Sequence, residues 1–256
     1  MIVDTNVHLS RWPFRRLRGD EPAALAALLR AKGVDQAWAG TFDGAFHLDL
    51  AAANARLADD CRRHGDGLFV PFGSVNPAQA DWEEDLRRCH EVHGMPGIRL
   101  HPSYHDYTLD DPRFAELLRR ASERRLIVQL ALKLEDVRTQ HRLARVPTAD
   151  AAPLPDLLKD LPGVRLVLLN ALMDVKGPLL ESLAATGKVW FEISSLEGAG
   201  GLEGLRRQVR PDRLLFGSHA PFFTWDAALL KLREAGLDAA ASRVILEDNA
   251  RALLGR

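Results

Sequence analysis

Histidines, one arginine and several side-chain amides recur in this sequence at the carboxyl ends of short apolar runs. The opening run, IVDTNVHL, delivers Asn6 and His8. Near the other end, DRLLFGSH followed by Ala220 and Pro221 delivers Ser218 and His219. Between them, GIRLHP (Gly97 to Pro102) presents Arg99 and His101, with Tyr104 and His105 just beyond. Other runs carry Gln129, Asn170, and Glu192 with Ser194. Imidazole titrates near neutral pH, so His8, His101 and His219 are candidates for proton transfer. A guanidinium offers a fork matched to carboxylate or phosphate, which makes Arg99 a candidate anion ligand. Asn6, Gln129 and Asn170 can fix a substrate's orientation through neutral hydrogen bonds. Glu192, flanked by Phe191 and Ile193, is the best carboxylate for a metal or for general base work. Trp12 could stack on a ligand, and Tyr104 and His105 could touch it from a loop. Polar groups in apolar strands are costly unless paired or used. The remaining histidines, His47, His64, His90, His93 and His141, read as helix or loop surface residues.

The elements that must position these groups are eight strands. They are expected at Ile2–Val7, Gln36–Thr41, Leu68–Val75, Gly97–Leu100, Leu126–Leu132, Arg165–Leu169, Val189–Ile193 and Leu214–Gly217. Several are continuously apolar, as for strands covered on both faces. Amphipathic segments alternate with them. Pro22–Lys32 stops at Gly33, a helix-ending glycine, and Asp111–Arg124 opens with Asp-Pro. Asp49–His64 and Asp81–His93 carry apolar residues at helical spacing, and Asp248–Leu254 forms the last helix. Alternation of this kind implies right-handed βαβ units and a parallel sheet. Eight units in 256 residues favour one closed (β/α)8 barrel, an α/β fold spanning residues 1–256 as a single domain. In such a barrel the functional groups project from the carboxyl ends of the strands. The irregular stretch Thr139–Ala152 follows the fifth strand and is expected over the barrel mouth.

Composition narrows the function classes. Hydrophobic residues make up 46% and the formal net charge is −1, with both signs mixed along the chain. This argues against a nucleic-acid partner, which needs a clustered basic face. The basic run Arg11 to Arg18 is the local exception and reads as a solvated or interface loop. There is no phosphate-binding glycine motif after the first strand. Two cysteines without metal spacing suit a reducing cytoplasm, and no apolar run approaches membrane-spanning length. The expectation is a cytoplasmic protein with a small-molecule substrate and no membrane or nucleic-acid partner.

Four phrases resemble the amidohydrolase superfamily, in the branch that contains aminocarboxymuconate-semialdehyde decarboxylase. They are Asp4-Thr5-Asn6-Val7-His8, GIRLHP, FGSHAP (Phe216 to Pro221) and the C-terminal Asn249-Ala250-Arg251-Ala252-Leu253. The resemblance implies the barrel fold and metal ligands at five positions. Here those positions hold Asn6, His8, Gln129, Asn170 and His219, and only His8 keeps the family's residue. An ordinary catalytic zinc wants three good nitrogen, sulfur or carboxylate ligands and an open position. The resemblance also implies that Asp4 is buried and supports the first strand, and that two copies pair as a homodimer, with Phe14, Arg15 and Arg16 suited to the rim.

The leading expectation is a hydrolase of this superfamily acting on a small carboxylated or polyhydroxylated substrate and able to work without metal. Water would be activated by His219 or His8, and Arg99 with the amides would stabilise the oxyanion. One alternative is a zinc-dependent hydrolase holding a single ion on His8, His219 and either Glu192 or His101. Others are a decarboxylase or lyase in which Arg99 grips the departing carboxylate, and a non-catalytic barrel with its mouth plugged by Phe14, Phe46 or Trp225.

Overall fold

A computed structural model describes residues 1–255. Eight parallel strands occur in sequence order around one sheet: β1 (Val3–Leu9), β2 (Gln36–Thr41), β3 (Phe69–Ser74), β4 (Gly97–Leu100), β5 (Ile127–Ala131), β6 (Arg165–Leu169), β7 (Val189–Glu192) and β8 (Leu214–Leu215). The last strand returns to the first. Thr5 N donates to Phe216 O and His8 N to Ala220 O, each at 2.9 Å. The fold is the (β/α)8 barrel expected. β8 is shorter than the sequence reading because its ladder stops at Leu215, and the backbone of Phe216 and Ala220 closes the ring instead.

Strand parity separates two apolar layers. Ile98, Leu100, Val128, Leu130, Leu166, Leu168, Val189 and Phe191 face outward and pack with the helices. Trp38, Phe72, Ile127, Ala131, Val167, Leu169 and Leu215 pack together as a second cluster, the barrel interior. Gly40, Arg99, Gln129 and Glu192 share that inward parity. Arg99 pairs in register with Ser74 on one side and Gln129 on the other.

The helices begin where local chemistry says they should. Asp49 caps Leu50–Gly65 by accepting from Ala52 N, and Asp111 caps Pro112–Glu123 by accepting from Arg113 N. The segment read as one helix over Asp81–His93 is α-helical only over Trp82–Arg87, then widens to a π turn at Arg88–Val92. A short helix, Asp43–Phe46, was not anticipated and sits directly after β2. The Thr139–Ala152 stretch is irregular, as expected. It lies against the loop that follows β1: His141 stacks on Phe14, and nearby Glu135 pairs with Arg15. Among the described residues no helix is long and apolar enough to cross a membrane.

Candidate active site

The carboxyl ends of β1, β4, β5, β6, β7 and β8 bring the candidate residues together. Asn6, His8, Arg99, His101, Gln129, Asn170, Glu192 and His219 are each at most 2% exposed. A buried polar group must find a partner or carry a cost, so each bond here is informative.

Arg99 points into the barrel and is held by protein acceptors. Nε donates to Gln129 Oε1 at 2.8 Å, one terminal nitrogen to Val7 O at 2.8 Å, and the other to Trp38 O at 3.0 Å. A fourth contact, 3.1 Å, joins the guanidinium to His8 Nε2. Room for the side chain comes from Gly40, where a Cβ would lie 2.7 Å from both Cδ and a terminal nitrogen of Arg99. Burial lowers the guanidinium to about 9, against the pull of Glu192 and Asp4, so it stays charged at neutral pH. With four contacts inside the protein, the fork is not offered whole to a carboxylate.

The bonding partners decide the histidine tautomers. Guanidinium only donates, so His8 Nε2 faces it with a lone pair, and the neutral ring carries its proton on Nδ1. Burial, then Arg99, holds His8 well below the usual imidazole range. His219 is the converse. Its Nε2 lies 2.6 Å from Leu134 O, which only accepts, so Nε2 bears the proton and Nδ1 keeps a lone pair. Burial lowers His219 to about 3. The two rings meet edge to face, 5.3 Å apart. Neither Nδ1 has a protein partner, and neither nitrogen of His101 has one.

A second network joins β1, β6 and β7. Asn6 Nδ2 donates to Asn170 Oδ1 and to Glu192 Oε2, both at 2.9 Å. Ser194 Oγ donates to Glu192 Oε2 at 2.8 Å, and Ser194 N to Oε1. Gly217 leaves the space, since a Cβ there would lie 2.5 Å from the Glu192 carboxylate. Burial raises Glu192 above the ordinary carboxyl range. Asn170 Nδ2 donates to Lys133 O and Gln129 Nε2 to Thr5 O. Asp4 is fully buried and accepts from Asn6 N, Ser218 N and Trp225 Nε1, which ties β1 to the β8 end. Burial lifts it to about 7.

Aromatic rings cover these groups. Phe42 stacks on His8 at 4.7 Å and 4°, and Phe222 stacks on His219 at 5.1 Å. Trp12 lies over both phenyl rings, and its Nε1 is buried without a partner. Phe14 and Phe46 flank Trp12 on the outside, 42% and 40% exposed. Trp225 is committed to Asp4. Tyr104 packs edge-on against Phe46 at the rim. His105 donates Nε2–H to Gly44 O, leaving Nδ1 free, and burial lowers it to about 4. A cleft of about 520 Å³ opens beside this rim between the loops after β4 and β5. Its lining carries Asp106, Asp110, Asp111 and Asp150 and no basic residue, which disfavours an anion there.

Sequence reading missed Phe42 and Phe222, which orient the two histidines, and Gly40, which admits Arg99. A glycine inside an apolar strand marks close approach, so Gly40 in QAWAGT was a usable signal. The phenylalanines gave none.

Apart from His219 Nδ1 and Asn6 Oδ1, the donors at the positions where the family resemblance places metal ligands are engaged by protein partners, and together they do not fit a divalent ion. His8 Nε2 and Gln129 Oε1 face Arg99, His219 Nε2 is held by Leu134 O, and the Glu192 oxygens are taken by Asn6 and Ser194. Among the described residues no three His, Cys, Asp or Glu side chains group to hold a metal.

No curated protein sequence matches the chain. Solved structures of similar shape include 2,6-dihydroxybenzoate decarboxylase from Rhizobium, at 16% identity and TM-score 0.73, covering 100% of this chain and 99% of that one. Dihydroxybenzoic acid decarboxylase from Polaromonas, with bound manganese and the inhibitor 2-nitroresorcinol, matches at 12% and 0.73, covering 99% and 96%. 4-Oxalomesaconate hydratase from Rhodopseudomonas palustris matches at 17% and 0.73, covering 100% and 96%. At these identities the likeness concerns the fold. The sequence model of the amidohydrolase family matches residues 3–256, and with the barrel and its strand-end phrases this establishes that the chain belongs to the amidohydrolase family.

Proposed function

We propose that this protein is an enzyme acting on a small soluble substrate bearing a carboxylate or several hydroxyls, by proton transfer between its own imidazoles and the substrate. The observation that supports this reading is the complementary pair of free nitrogens, a lone pair on His219 Nδ1 and a proton on His8 Nδ1, under one aromatic cover. In hydrolysis, His219 Nδ1 removes a proton from water as the oxygen bonds to the substrate carbonyl. His8 Nδ1–H donates to the oxyanion that forms. The proton held by His219 then passes to the leaving group as its bond breaks. Asn6 Oδ1 and His101 offer further free polar atoms for orientation. Arg99 acts from beneath, as a fixed positive charge. Entry requires displacement of Trp12, which is 3% exposed.

Decarboxylation is the second reading, supported by the two decarboxylases among structures of similar shape. There His219 Nδ1 would take a proton from a substrate hydroxyl and deliver it to the carbon that carbon dioxide leaves. A panel of hydroxylated benzoates and carboxylated lactones, followed for carbon dioxide release and for ring opening, separates the two. His219→Asn should lower kcat by roughly 10²–10⁴-fold with the fold retained. Full turnover by His219→Asn, or activity abolished by a chelator and restored by zinc, would sink the proposal. A chain that turns over none of the panel would favour the non-catalytic barrel.

A further inference from the structure

We propose that Arg99 is a positioning residue, a built-in cation at the centre of the strand-end ring that fixes the proton of His8 and denies the place to a divalent ion. The inference deepens the functional reading and rests on it for the roles of His8 and His219, though its evidence is separate.

Three observations carry it. First, the guanidinium is bonded on several sides by groups from different strands: Gln129 on β5, Trp38 on β2, and Val7 and His8 on β1. Such a cage costs several main-chain and side-chain acceptors and is unneeded for packing alone. Second, the bonds are directional. Nε–H to Gln129 Oε1 turns the amide so that Nε2 donates to Thr5 O at 2.7 Å. The contact to His8 consumes the only lone pair of that ring, so His8 can present a proton toward the cover but cannot accept one there. Third, the strand next door is cut to fit, because Gly40 lacks the Cβ that would collide with Arg99.

An ion at this position would need His8 Nε2 and Gln129 Oε1, the same two atoms that Arg99 uses. It would also sit within a few ångströms of a buried positive charge, where repulsion is weakly screened. The guanidinium therefore supplies the positive potential permanently and leaves the imidazoles neutral.

The experiment uses the full chain labelled with ¹⁵N-histidine. Two-bond proton–nitrogen spectra report the tautomer of each ring, and the His8→Gln variant identifies the His8 signals. The expected result in the wild type is an Nδ1–H tautomer that does not titrate between about pH 5 and 8. Arg99→Lys keeps the charge but not the planar fork, and should show His8 losing the single tautomer. In parallel, the wild-type chain is incubated with zinc or manganese, desalted, and its metal content measured; no stoichiometric ion should remain. Arg99→Ala combined with Gln129→His should retain zinc where the wild type does not. An Nε2–H tautomer for His8 in the wild type overturns the proposal, and so does a tightly held stoichiometric ion there, a measurement that needs no variant. Neither measurement depends on turnover, so failure of the assigned reaction would leave it standing, and its own failure would leave His219 as base.

Discussion

The polar groups at the barrel mouth divide into two sets that differ in how they are bonded. Around Arg99 and Glu192, nearly every donor meets an acceptor: Gln129, Val7, Trp38 and His8 serve the guanidinium, while Asn6, Ser194 and the Asn170 amide serve the carboxylate. Around the histidines the opposite holds. His8 Nδ1, His219 Nδ1, both nitrogens of His101 and Trp12 Nε1 are buried with no partner. Unmet buried polar groups destabilise a fold by about 1–3 kcal/mol each. The first set is satisfied within the fold, whereas stability gives no reason to keep the second. The contrast is the one expected where orphaned groups are kept for a use other than stability, as the proposed reaction requires of the neutral rings.

Disturbing the first set should produce the larger change in stability. Gly40→Ala places a methyl group against the Arg99 side chain, which is packed too tightly to yield. Urea unfolding should show a loss of about 1–3 kcal/mol, the range for overpacking a core. Gly204 is the control. A methyl group there would have no neighbour within 4 Å, and the residue sits inside the helix Gly201–Arg206. Gly204→Ala should be neutral or gain roughly 0.5–1 kcal/mol. Equal behaviour of the two alanines would mean that Arg99 is not held as the contrast requires.

The second set should govern the response to acid. His219 is at about 3 when folded and near 6.5 when unfolded. Between those values the unfolded chain binds a proton that the native chain refuses, so stability falls as pH drops below the unfolded value. At pH 5 each imidazole so depressed should cost about 2 kcal/mol relative to neutral pH. Asp4 works in the other sense. Its folded value of about 7 lies above the unfolded one, so its contribution is full below pH 3.8 and is lost as pH rises through 7. The clean measurement is therefore a difference. In His219→Asn the stability lost between pH 7 and 5 should shrink by about 2 kcal/mol. An unchanged acid limb would mean that the ring protonates freely in the native state.

Much of the architecture was legible because strand parity and helix caps are local. Gln36–Thr41, Gly97–Leu100 and Arg165–Leu169 occur as read, and the helices read from Asp49 and Asp111 start there, with those two carboxylates as their caps. Convergence of Asn6, Gln129, Asn170 and Glu192 follows from parity plus barrel closure. The state of the site was not legible, because it depends on main-chain atoms. Val7 O, Trp38 O and Leu134 O carry no residue signature, yet they occupy Arg99 and set the tautomer of His219. Sequence therefore pointed to Arg99 as a grip for substrate, and could not show that its N–H groups meet protein acceptors. The same limit applied to β8, whose ladder is finished by Phe216 and Ala220 through backbone bonds to β1.

Among the site residues, His101 gives the smallest expected effect, and a stabilising one. His101 follows β4, is 1% exposed, and has both ring nitrogens unpartnered. Burial and the neighbouring His105 keep it neutral. A neutral imidazole held dry in this way contributes packing but loses its hydrogen bonds to water. Replacing it by a purely apolar side chain of comparable volume keeps the packing and removes the loss. His101→Leu should therefore raise stability by about 1 kcal/mol in urea, while turnover of any substrate found falls. The cost of preserving an orphaned ring would then be visible as a trade between stability and activity. A destabilisation of more than about 1 kcal/mol would instead place His101 among the bonded groups. It would move the boundary between the two sets by one residue, leaving His8 and His219 alone as the reactive pair.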